Sequence, residues 1–342
     1  MTTLKDIAQE AGVSVMTVSN VVNGNSSKVS PKTAERIQKI IKRLNYVPNF
    51  SARSLVNSNS HIISVIIRGE KDQNPFENPH NAALVGTVIH KIQQQGYYAM
   101  INIMKSVSDI SQSLRTWNAE GAIFLGMFDD EIEEMCTASD IPMVFIDSYS
   151  KVRQLSNVGI DDYKGGRLAA KHLIKHGHKT LAFIGPPSSH TGVIQQRYSG
   201  FYDELTECRL TLNPQYRFVL ESDVDYEEIK RLGIQIAKYK GEITGAFITS
   251  DQIASFLINV LRQNGLCIPE DLSLIGFDNL EICCQLTPQL TTIAQDLRKK
   301  AELTVDILFR RLRAPDSPFE SRILDVSLVE RNSVQSRPCP IP

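Results

Sequence analysis

The periodicity of the apolar residues changes at about residue 61, and this change divides the chain into two differently built parts. Residues 1–60 carry short helical patterns, whereas from Ile62 onward β-branched runs alternate with amphipathic stretches. Continuous apolar runs separated by helices are typical of parallel strands covered on both faces. With 342 residues, the chain is also too long for one ordinary domain. The sequence therefore predicts a small helical domain followed by a large α/β body.

The body contains two successive sets of predicted strands. They lie at 62–67, 98–103, 121–126 and 142–147, and then at 180–185, 216–220, 244–249 and 272–277. The predicted helices are 80–95, 129–138, 163–176, 193–207, 226–239 and 251–264. Two such sets predict two doubly wound parallel sheets and hence two lobes. A strand at 291–294, a helix at 296–313 and a strand at 322–329 are predicted to return to these lobes.

Residues 1–47 predict three short helices with a tight turn between the first two. Thr3 and Asp6 form a capping-box pattern, and Gly12 is a helix stop. Ser14 and Ser30 are suitable N-cap residues for the second and third helices. This arrangement is typical of a helix-turn-helix. A small helical bundle with no role in DNA binding is the alternative interpretation.

The second predicted helix has one apolar face and one face suited to reading DNA. Val18, Val21 and Val22 face the predicted core, and the opposite face would lie in a major groove. Asn20 can pair with an adenine edge, while Val15 and Met16 can contact thymine methyl groups. Thr17, Lys28, Ser30 and Thr33 are suited to phosphate contacts, which fix register rather than sequence. The remaining predicted DNA-contacting residues of this domain are Ser14, Ser19 and Asn23.

The distribution of charge also places a polyanionic partner at the amino-terminal end. Residues 1–60 carry a net charge of +5, and the rest of the chain carries −6, within a total of −1. A basic segment on an acidic body favours binding of nucleic acid by that segment. Solvated basic helix faces are common, so the charge supports the helix pattern rather than standing alone.

Residues 48–60 have two interpretations that the residues themselves leave open. The segment is too short for a stable free helix, although Ala52, Leu55 and Val56 share one helical face. It could become ordered when two copies meet on DNA, with Leu55 wedged between base steps in the minor groove. A flexible polar linker is the other interpretation.

Three stretches of the chain resemble the lactose repressor/galactose repressor family. They are VSVMTVSNVVNG, KVSPKTAERIQKIIKRLNYVPN and the ARSL of the segment at 48–60, and the resemblance continues through the body. It implies a homodimer, or a dimer of dimers, on a palindromic operator. It also implies that residues 48–60 are a hinge, with Asn49, Ala52 and Leu55 at the DNA. Many members carry arginine where this chain has Asn20, so the resemblance leaves the operator half-site undefined.

The resemblance further implies a body of the periplasmic-binding-protein type. Its chain would cross between the lobes near 159–161, 290 and 320. The first lobe would then hold about 61–160 and 291–319, and the second about 161–290 and 320–330. Residues 331–342 are predicted to be a flexible tail.

Polar residues that follow the predicted strands indicate where a ligand binds, because open α/β sheets bind ligands beyond the carboxyl ends of their strands. Carboxylates accept hydrogen bonds from vicinal hydroxyls, a guanidinium donates to two oxygens, and an aromatic ring packs on a sugar face. The resemblance matches effector positions to Phe76, Asp147, Arg197, Asp278 and Gln295, and Ser250 replaces an asparagine common in the family.

Structural roles are the alternatives at these positions. Asp251, next to Ser250, is expected to cap a helix rather than contact ligand. Phe76 could anchor its own loop to the core, Asp278 could close a turn, and Arg197 could pair with a carboxylate of the cleft.

Other classes of protein are disfavoured. The chain has no GxGxxG, Walker or GxSxG motif, so no catalytic residue is predicted. Its six cysteines and its histidines lack zinc spacing, so no metal or cofactor is expected and the thiols should be reduced. Without a signal peptide or an apolar run of roughly 20 residues, a cytoplasmic protein without membrane contact is expected.

The sequence thus predicts a ligand-responsive, sequence-specific transcriptional regulator. The favoured form is a repressor of carbohydrate-utilisation genes that a sugar or sugar derivative releases from its operator. The alternative is a repressor that needs a nucleobase or a phosphocarrier protein as corepressor. A free-standing sugar-binding protein or an enzyme is the least favoured interpretation.

Overall fold

A computed structural model describes residues 2–22, 24, 28–46, 59–69, 74–148, 150, 154–187, 192–221 and 225–337. The chain separates into two compact units, Met1–Ser60 and His61–Pro342. The predicted DNA contacts Asn23, Asn49, Ala52 and Leu55 lie outside the described residues. In the part that the structure describes, no helix combines the length and apolar character needed to cross a membrane.

The first unit contains the three predicted helices, α1 (Leu4–Ala11), α2 (Val15–Val22) and α3 (Pro31–Arg43). Its local chemistry follows the prediction: Thr3 and Asp6 form the capping box, and Gly12 ends α1 in the left-handed conformation with φ of 61°. The core of this unit is Ile7, Ala8, Ala11, Val18, Val21, Ala34, Ile37 and Ile40. Ile41 and Leu44 of the same unit are partly buried and pack against this core.

The first lobe of the second unit is built on a six-stranded parallel sheet in the order β11-β5-β4-β3-β1-β2. Its strands are β1 (Ile62–Arg68), β2 (Tyr98–Met104), β3 (Gly121–Leu125), β4 (Met143–Ile146), β5 (Asn157–Ile160) and β11 (Ser321–Leu324). Helices α4 (Pro79–Gln94), α5 (Val107–Thr116) and α6 (Asp129–Ala138) connect the first four. A helix from far along the chain, α12 (Leu297–Arg313), joins their core through Ala301, Val305 and Leu308.

The second lobe repeats this plan with the order β12-β10-β9-β8-β6-β7. Its strands are β6 (Leu181–Gly185), β7 (Arg217–Val219), β8 (Gly245–Ile248), β9 (Ser273–Asp278), β10 (Thr291–Ala294) and β12 (Ser327–Val329). All neighbours are parallel except β12, which runs antiparallel to β10. Its helices are α7 (Asp162–Lys175), α8 (Val193–Glu207), α9 (Tyr226–Ala237), α10 (Asp251–Gln263) and α11 (Ile282–Gln285).

Two of the predicted crossovers lie a few residues too early. The strand 291–294 pairs with β9 and so belongs to the second lobe, not the first. The predicted strand 322–329 is in fact two strands in different sheets. β11 pairs with β5 in the first lobe and stops before Asp325, and Val326 is then buried in the core of the second lobe, where β12 pairs with β10. The crossovers therefore fall at about 161, 295–296 and 325–326.

The predicted flexible tail is wrong for residues 331–337. Ser333 is fully buried, and its hydroxyl donates to the Leu274 carbonyl while its own carbonyl accepts from the Leu274 amide. Farther on, the Arg337 guanidinium donates to the carbonyls of Glu270 and Asp271. Backbone pairing of this kind holds the segment on the second lobe, while 338–342 lie outside the described residues.

Candidate functional site

The outward face of α2 presents the apolar residues that were predicted to read DNA. Val15 is 41% exposed and Met16 is 71% exposed, while Val18 and Val21 are buried on the opposite face. Asn20 is partly exposed, as is its neighbour Ser19. Exposed apolar side chains beside an amide suit a surface that meets thymine methyl groups and base edges.

The hydroxyl groups predicted to meet phosphates also build the helix starts. Ser14 Oγ accepts a hydrogen bond from the Thr17 amide at 3.1 Å, and Ser30 Oγ accepts from the Thr33 amide at 3.3 Å. Lys28 and both serines are exposed. Helix amino-termini with free amide groups favour anions, so this local structure is compatible with phosphate binding.

A cavity of about 450 Å³ lies between the two lobes of the body, at the carboxyl ends of the strands. Its volume is in the range of small-molecule sites. Both lobes contribute to its wall, which includes Asn78, His80, Asn81, Leu125, Met127, Phe128, Asp147, Pro186, Pro187, Val193, Ile194, Arg197, Glu221, Thr249, Ser250, Ile253 and Asp278. Of the six predicted ligand residues, the fold thus brings Asp147, Arg197, Ser250 and Asp278 together.

Two polar atoms of the wall are buried without a partner among the described residues. They are His80 Nε2 and Thr249 Oγ1. A buried polar atom without a hydrogen bond is energetically costly, so these two atoms are candidates for polar contacts at the cavity. Sequence reasoning did not select either residue, because neither has a distinctive pattern: His80 follows Asn78-Pro79 at the start of α4, and Thr249 directly follows β8.

A chain of polar contacts connects the lobes beside the cavity. The ammonium group of Lys300, whose side chain is fully buried, lies 2.8 and 2.9 Å from the two carboxylate oxygens of Asp147 in the first lobe. Lys300 also donates to Gln295 Oε1 at 2.7 Å, and Gln295 Nε2 donates to Asp278 Oδ1 at 2.6 Å in the second lobe. Gln295 is therefore a link in this chain and does not line the cavity. Lys300 was not predicted.

Arg197 is held rigidly at the cavity wall by the second lobe. Its Nε donates to Asp162 at 2.7 Å and its Nη1 to the Thr249 carbonyl at 2.6 Å, while the guanidinium lies 3.5 Å from the centre of the Phe277 ring. The bonds described for Arg197 use Nε–H and one hydrogen of Nη1, so the hydrogens of Nη2 are donors that a ligand could use. The two roles predicted as alternatives for Arg197 are thus combined: it pairs with the Asp162 carboxylate and it also lines the cavity.

Two of the aspartates at the strand ends have unusual backbone conformations. The φ angles are 55° at Asp147 and 115° at Asp278, a region that side chains other than glycine rarely adopt. Such strain persists where the surrounding structure imposes it, and it concentrates at binding sites. The positions of these two carboxylates are therefore fixed by the fold at a local cost.

Ser250 takes the helix-capping role that was predicted for Asp251. Ser250 caps α10, accepting a hydrogen bond from the Gln252 amide, although it also lines the cavity. Asp251 is fully buried and accepts hydrogen bonds from the Leu280 amide and the Thr292 hydroxyl. Burial, together with the charge of Asp278, raises the pKa of Asp251 to about 7.

Phe76, like Gln295, is a predicted ligand residue that does not line the cavity. It lies in a short 3-10 turn, Pro75–Glu77, and packs against the core of the first lobe. Among the described residues, the phenyl ring that lines the cavity is that of Phe128, with the Arg68 guanidinium 4.0 Å from its ring centre. The alternative interpretation of Phe76, an anchor for its loop, agrees with this placement.

A helix-turn-helix with an exposed second helix, in one chain with a two-lobed body around a polar cleft, defines a ligand-responsive, DNA-binding transcriptional regulator. Comparison with known proteins agrees. Residues 3–49 match the bacterial regulatory proteins of the lacI family, and residues 170–334 match the periplasmic binding protein-like domain.

Full-length relatives extend this match. The ribose operon repressor of Haemophilus influenzae is 31% identical, over 98% of this chain and 99% of its own. Among solved structures, the lac repressor dimer bound to operator and the anti-inducer ONPF is 26% identical with a TM-score of 0.85, covering 98% of this chain and 99% of its own. The CelR–cellobiose complex is 25% identical with a TM-score of 0.72, covering 97% and 100%. The chain belongs to the lacI family of bacterial regulatory proteins.

Proposed function

We propose that this protein is a cytoplasmic repressor of carbohydrate-utilisation genes, which binds a palindromic operator as a homodimer and is released by an uncharged sugar. The observation that carries the proposal is the cavity between the lobes, where His80 Nε2 and Thr249 Oγ1 lack partners among the described residues. A ligand rich in hydroxyl groups would satisfy both atoms once small side-chain rotations bring them to the cavity surface. The sugar is bound and not converted.

The charges of the wall favour a neutral ligand. The described lining residues include three carboxylates, Asp147, Glu221 and Asp278, and one guanidinium, Arg197. Lys300 neutralises only the first of these carboxylates. Sugar hydroxyls can donate to the remaining carboxylates, whereas a phosphate group would be repelled by them. Relatives support a sugar: one is named a ribose operon repressor, and another is solved with cellobiose.

The homodimer is supported by an exposed apolar edge of the first lobe. The edge strand β2 exposes Tyr98 by 59%, Ile101 by 46% and Ile103 by 43%. An apolar edge strand is a template for pairing with another chain, and proteins normally cover it. A second copy of this chain is the proposed cover, since the solved lac repressor relative is a dimer. Sedimentation measurements would separate a dimer from a dimer of dimers.

The proposed release mechanism uses the contacts that connect the lobes. A sugar that bonds to Asp278 and Arg197 in one lobe and to His80 in the other favours one closure angle of the body. In the dimer, closure moves the first lobes relative to each other and so changes whether the two 48–60 segments can order on the operator. Sugar binding and operator binding weaken each other by the same factor, and the coupling free energy between them is expected to be about 1–3 kcal/mol.

An operator-binding titration with and without neutral sugars tests the proposal, and Thr249→Val is the informative variant. Valine has the shape of threonine without the unpaired hydroxyl, so the fold should be kept and sugar affinity should fall by about 1 kcal/mol, roughly fivefold. Thr206→Val, on the exposed surface of α8, is the matched control.

The outcomes separate the alternatives. Release by a neutral sugar, but not by its phosphate ester, supports the proposal. Operator binding that every effective ligand tightens would instead show a corepressor-dependent repressor, and turnover of the sugar would show an enzyme.

A further inference from the structure

Two histidines and a glutamate meet at the end of α7 that lies opposite to the cleft. Asp162, at the start of α7, holds Arg197 beside the cavity. His172 and His176 lie near the other end of the helix, about 15–20 Å away along its axis at 1.5 Å per residue. Glu330 follows β12 and comes to the same place from a distant part of the sequence. The function proposed above uses none of these three residues.

The first histidine of this group has a polar atom that the protein leaves unsatisfied. The side chain of His172 is 5% exposed, and its Nε2 has no hydrogen-bond partner among the described residues. The ring of His176 lies one helical turn away, with the two ring centres 4.5 Å apart. Leaving a buried imidazole nitrogen without a hydrogen bond costs free energy, and a bound ion shared by both rings would remove that cost.

The second histidine is oriented in the way that metal ligands usually are. His176 Nδ1 lies 2.9 Å from Ser336 Oγ, and the Arg337 amide donates to the His176 carbonyl at 2.8 Å. When the serine oxygen accepts, the Nδ1–H tautomer is fixed and the lone pair is on Nε2. Metal-binding histidines commonly use their second nitrogen for such an orienting hydrogen bond.

We propose that His172, His176 and Glu330 bind a divalent transition metal ion, with zinc as the first candidate. One ligand atom from each residue lies within 4.8 Å of the other two. Ligands that share one zinc ion at about 2.0–2.2 Å cannot be more than roughly 4 Å apart, so small side-chain shifts close the site. Two imidazoles and a carboxylate suit zinc, and water would complete four-coordination.

The ion would join two parts of the second lobe that are far apart in sequence. Glu330 leads directly into 331–337, the segment that docks against the end of α7 through Ser336 and Arg337. A metal bond from Glu330 to the two histidines would tie this segment to the helix. Because the unfolded chain does not hold the three ligands together, zinc should stabilise the folded body.

Calorimetric titration of the full-length protein with zinc chloride, with thiols kept reduced, tests the proposal. Wild type is expected to bind one zinc ion per chain and to melt at a higher temperature with zinc than without. Glu330→Gln changes an exposed side chain, so folding should be unaffected while zinc affinity falls at least tenfold. His176→Gln should lose the site altogether.

The control removes a histidine that lies elsewhere. His90→Gln, on the exposed face of α4, should leave zinc affinity unchanged. Cobalt substitution then reports the ligands, because exposed Cys208, Cys267 and Cys284 could also bind zinc. Absence of zinc binding, equal affinity in wild type and Glu330→Gln, or a thiolate-to-cobalt absorption band would each overturn the proposal.

Discussion

Lys300 is a fully buried cation in the cleft region. Its ammonium group is fully buried and bonded to both oxygens of Asp147 and to Gln295. A buried charge is tolerated only when it is paired and its hydrogen bonds are satisfied, and here they are. The pair therefore fixes the position of a cavity carboxylate, and either partner alone would be left uncompensated.

Removing one partner of this pair should destabilise the body strongly. Lys300→Met leaves the Asp147 carboxylate without its cation, so the free energy of unfolding should fall by about 3–5 kcal/mol. In the double variant Lys300→Met/Asp147→Leu both charges are gone, and most of the loss should be recovered. Urea unfolding of the four proteins measures the coupling; simple additivity of the two single changes would show that the pair does not interact.

Asp251 should make the body less stable as the pH rises. Its pKa is raised from 3.8 to about 7 in the folded state, so between these values the folded state binds more protons than the unfolded state. This contribution is complete below about pH 3.8 and is lost as the pH rises to 7. Asp251→Asn has no titratable carboxyl group at this position, so its stability lacks this dependence on pH.

The stability of Asp251→Asn relative to wild type should therefore increase between pH 5 and pH 8. Urea midpoints of both proteins over this range provide the measurement, with Asp306→Asn on α12 as a control for a general loss of charge. A stability difference that stays constant with pH would contradict the raised pKa.

Among the elements, α7 and α8 have the tightest contact, and it depends on two glycines. A Cβ atom at Gly166 would overlap the Arg197 carbonyl oxygen, and one at Gly200 would overlap the Tyr163 carbonyl oxygen. The backbones of the two helices thus approach each other without intervening side chains. Since α8 carries Arg197 and α7 carries its partner Asp162, this contact sets the position of the guanidinium at the cavity.

Gly166→Ala should force α7 and α8 apart. Overpacking of this kind costs about 1–3 kcal/mol, even though alanine is the better helix former. The same variant should weaken effector binding because Arg197 moves with α8. Gly86→Ala in α4, where an added Cβ meets nothing within 4 Å, is the control and should not destabilise the fold. Thermal unfolding and effector titration of both variants provide the measurement. Equal melting temperatures for Gly166→Ala and Gly86→Ala would contradict the close contact between α7 and α8.

At the level of the whole molecule, the two edges of the first sheet provide a matched comparison. β2 exposes Ile101 at one edge, and β11 exposes Ile323 by 53% at the other. If the β2 edge is the dimer interface, Ile101→Glu should give a monomer with much weaker operator binding, because a buried unpaired charge opposes association. Ile323→Glu should leave the dimer intact. Analytical ultracentrifugation distinguishes these outcomes, and a dimer that persists in Ile101→Glu would place the interface elsewhere.

Local chemistry made much of the fold predictable. Helix caps and stops act within one helical turn, as at Thr3, Ser30 and Gly12. The buried strands can be predicted because they are continuous runs of apolar residues. The sheet to which a four-residue strand belongs is decided by distant partners, so 291–294 and 321–324 were assigned to the wrong lobes.

The site was less predictable for the same reason. Strand-end positions identified Asp147 and Asp278, but a lysine in an amphipathic helix reads as solvent-exposed, so Lys300 was missed. The polar segment 331–337 read as disordered because its order comes from hydrogen bonds to residues more than 40 positions away, such as that between Ser333 and Leu274. No sequence pattern near these residues reveals such contacts.

The interleaving of the two lobes has a consequence for protein synthesis. The sheet that starts at Ile62 lacks its covering helix α12 and its strand β11 until residues 297–324 have left the ribosome. The other lobe waits for β12 and for the strip 331–337. Neither lobe can therefore mature until most of the other has been translated. A nascent chain that stops near residue 290 would expose apolar surface of both lobes to chaperones and proteases.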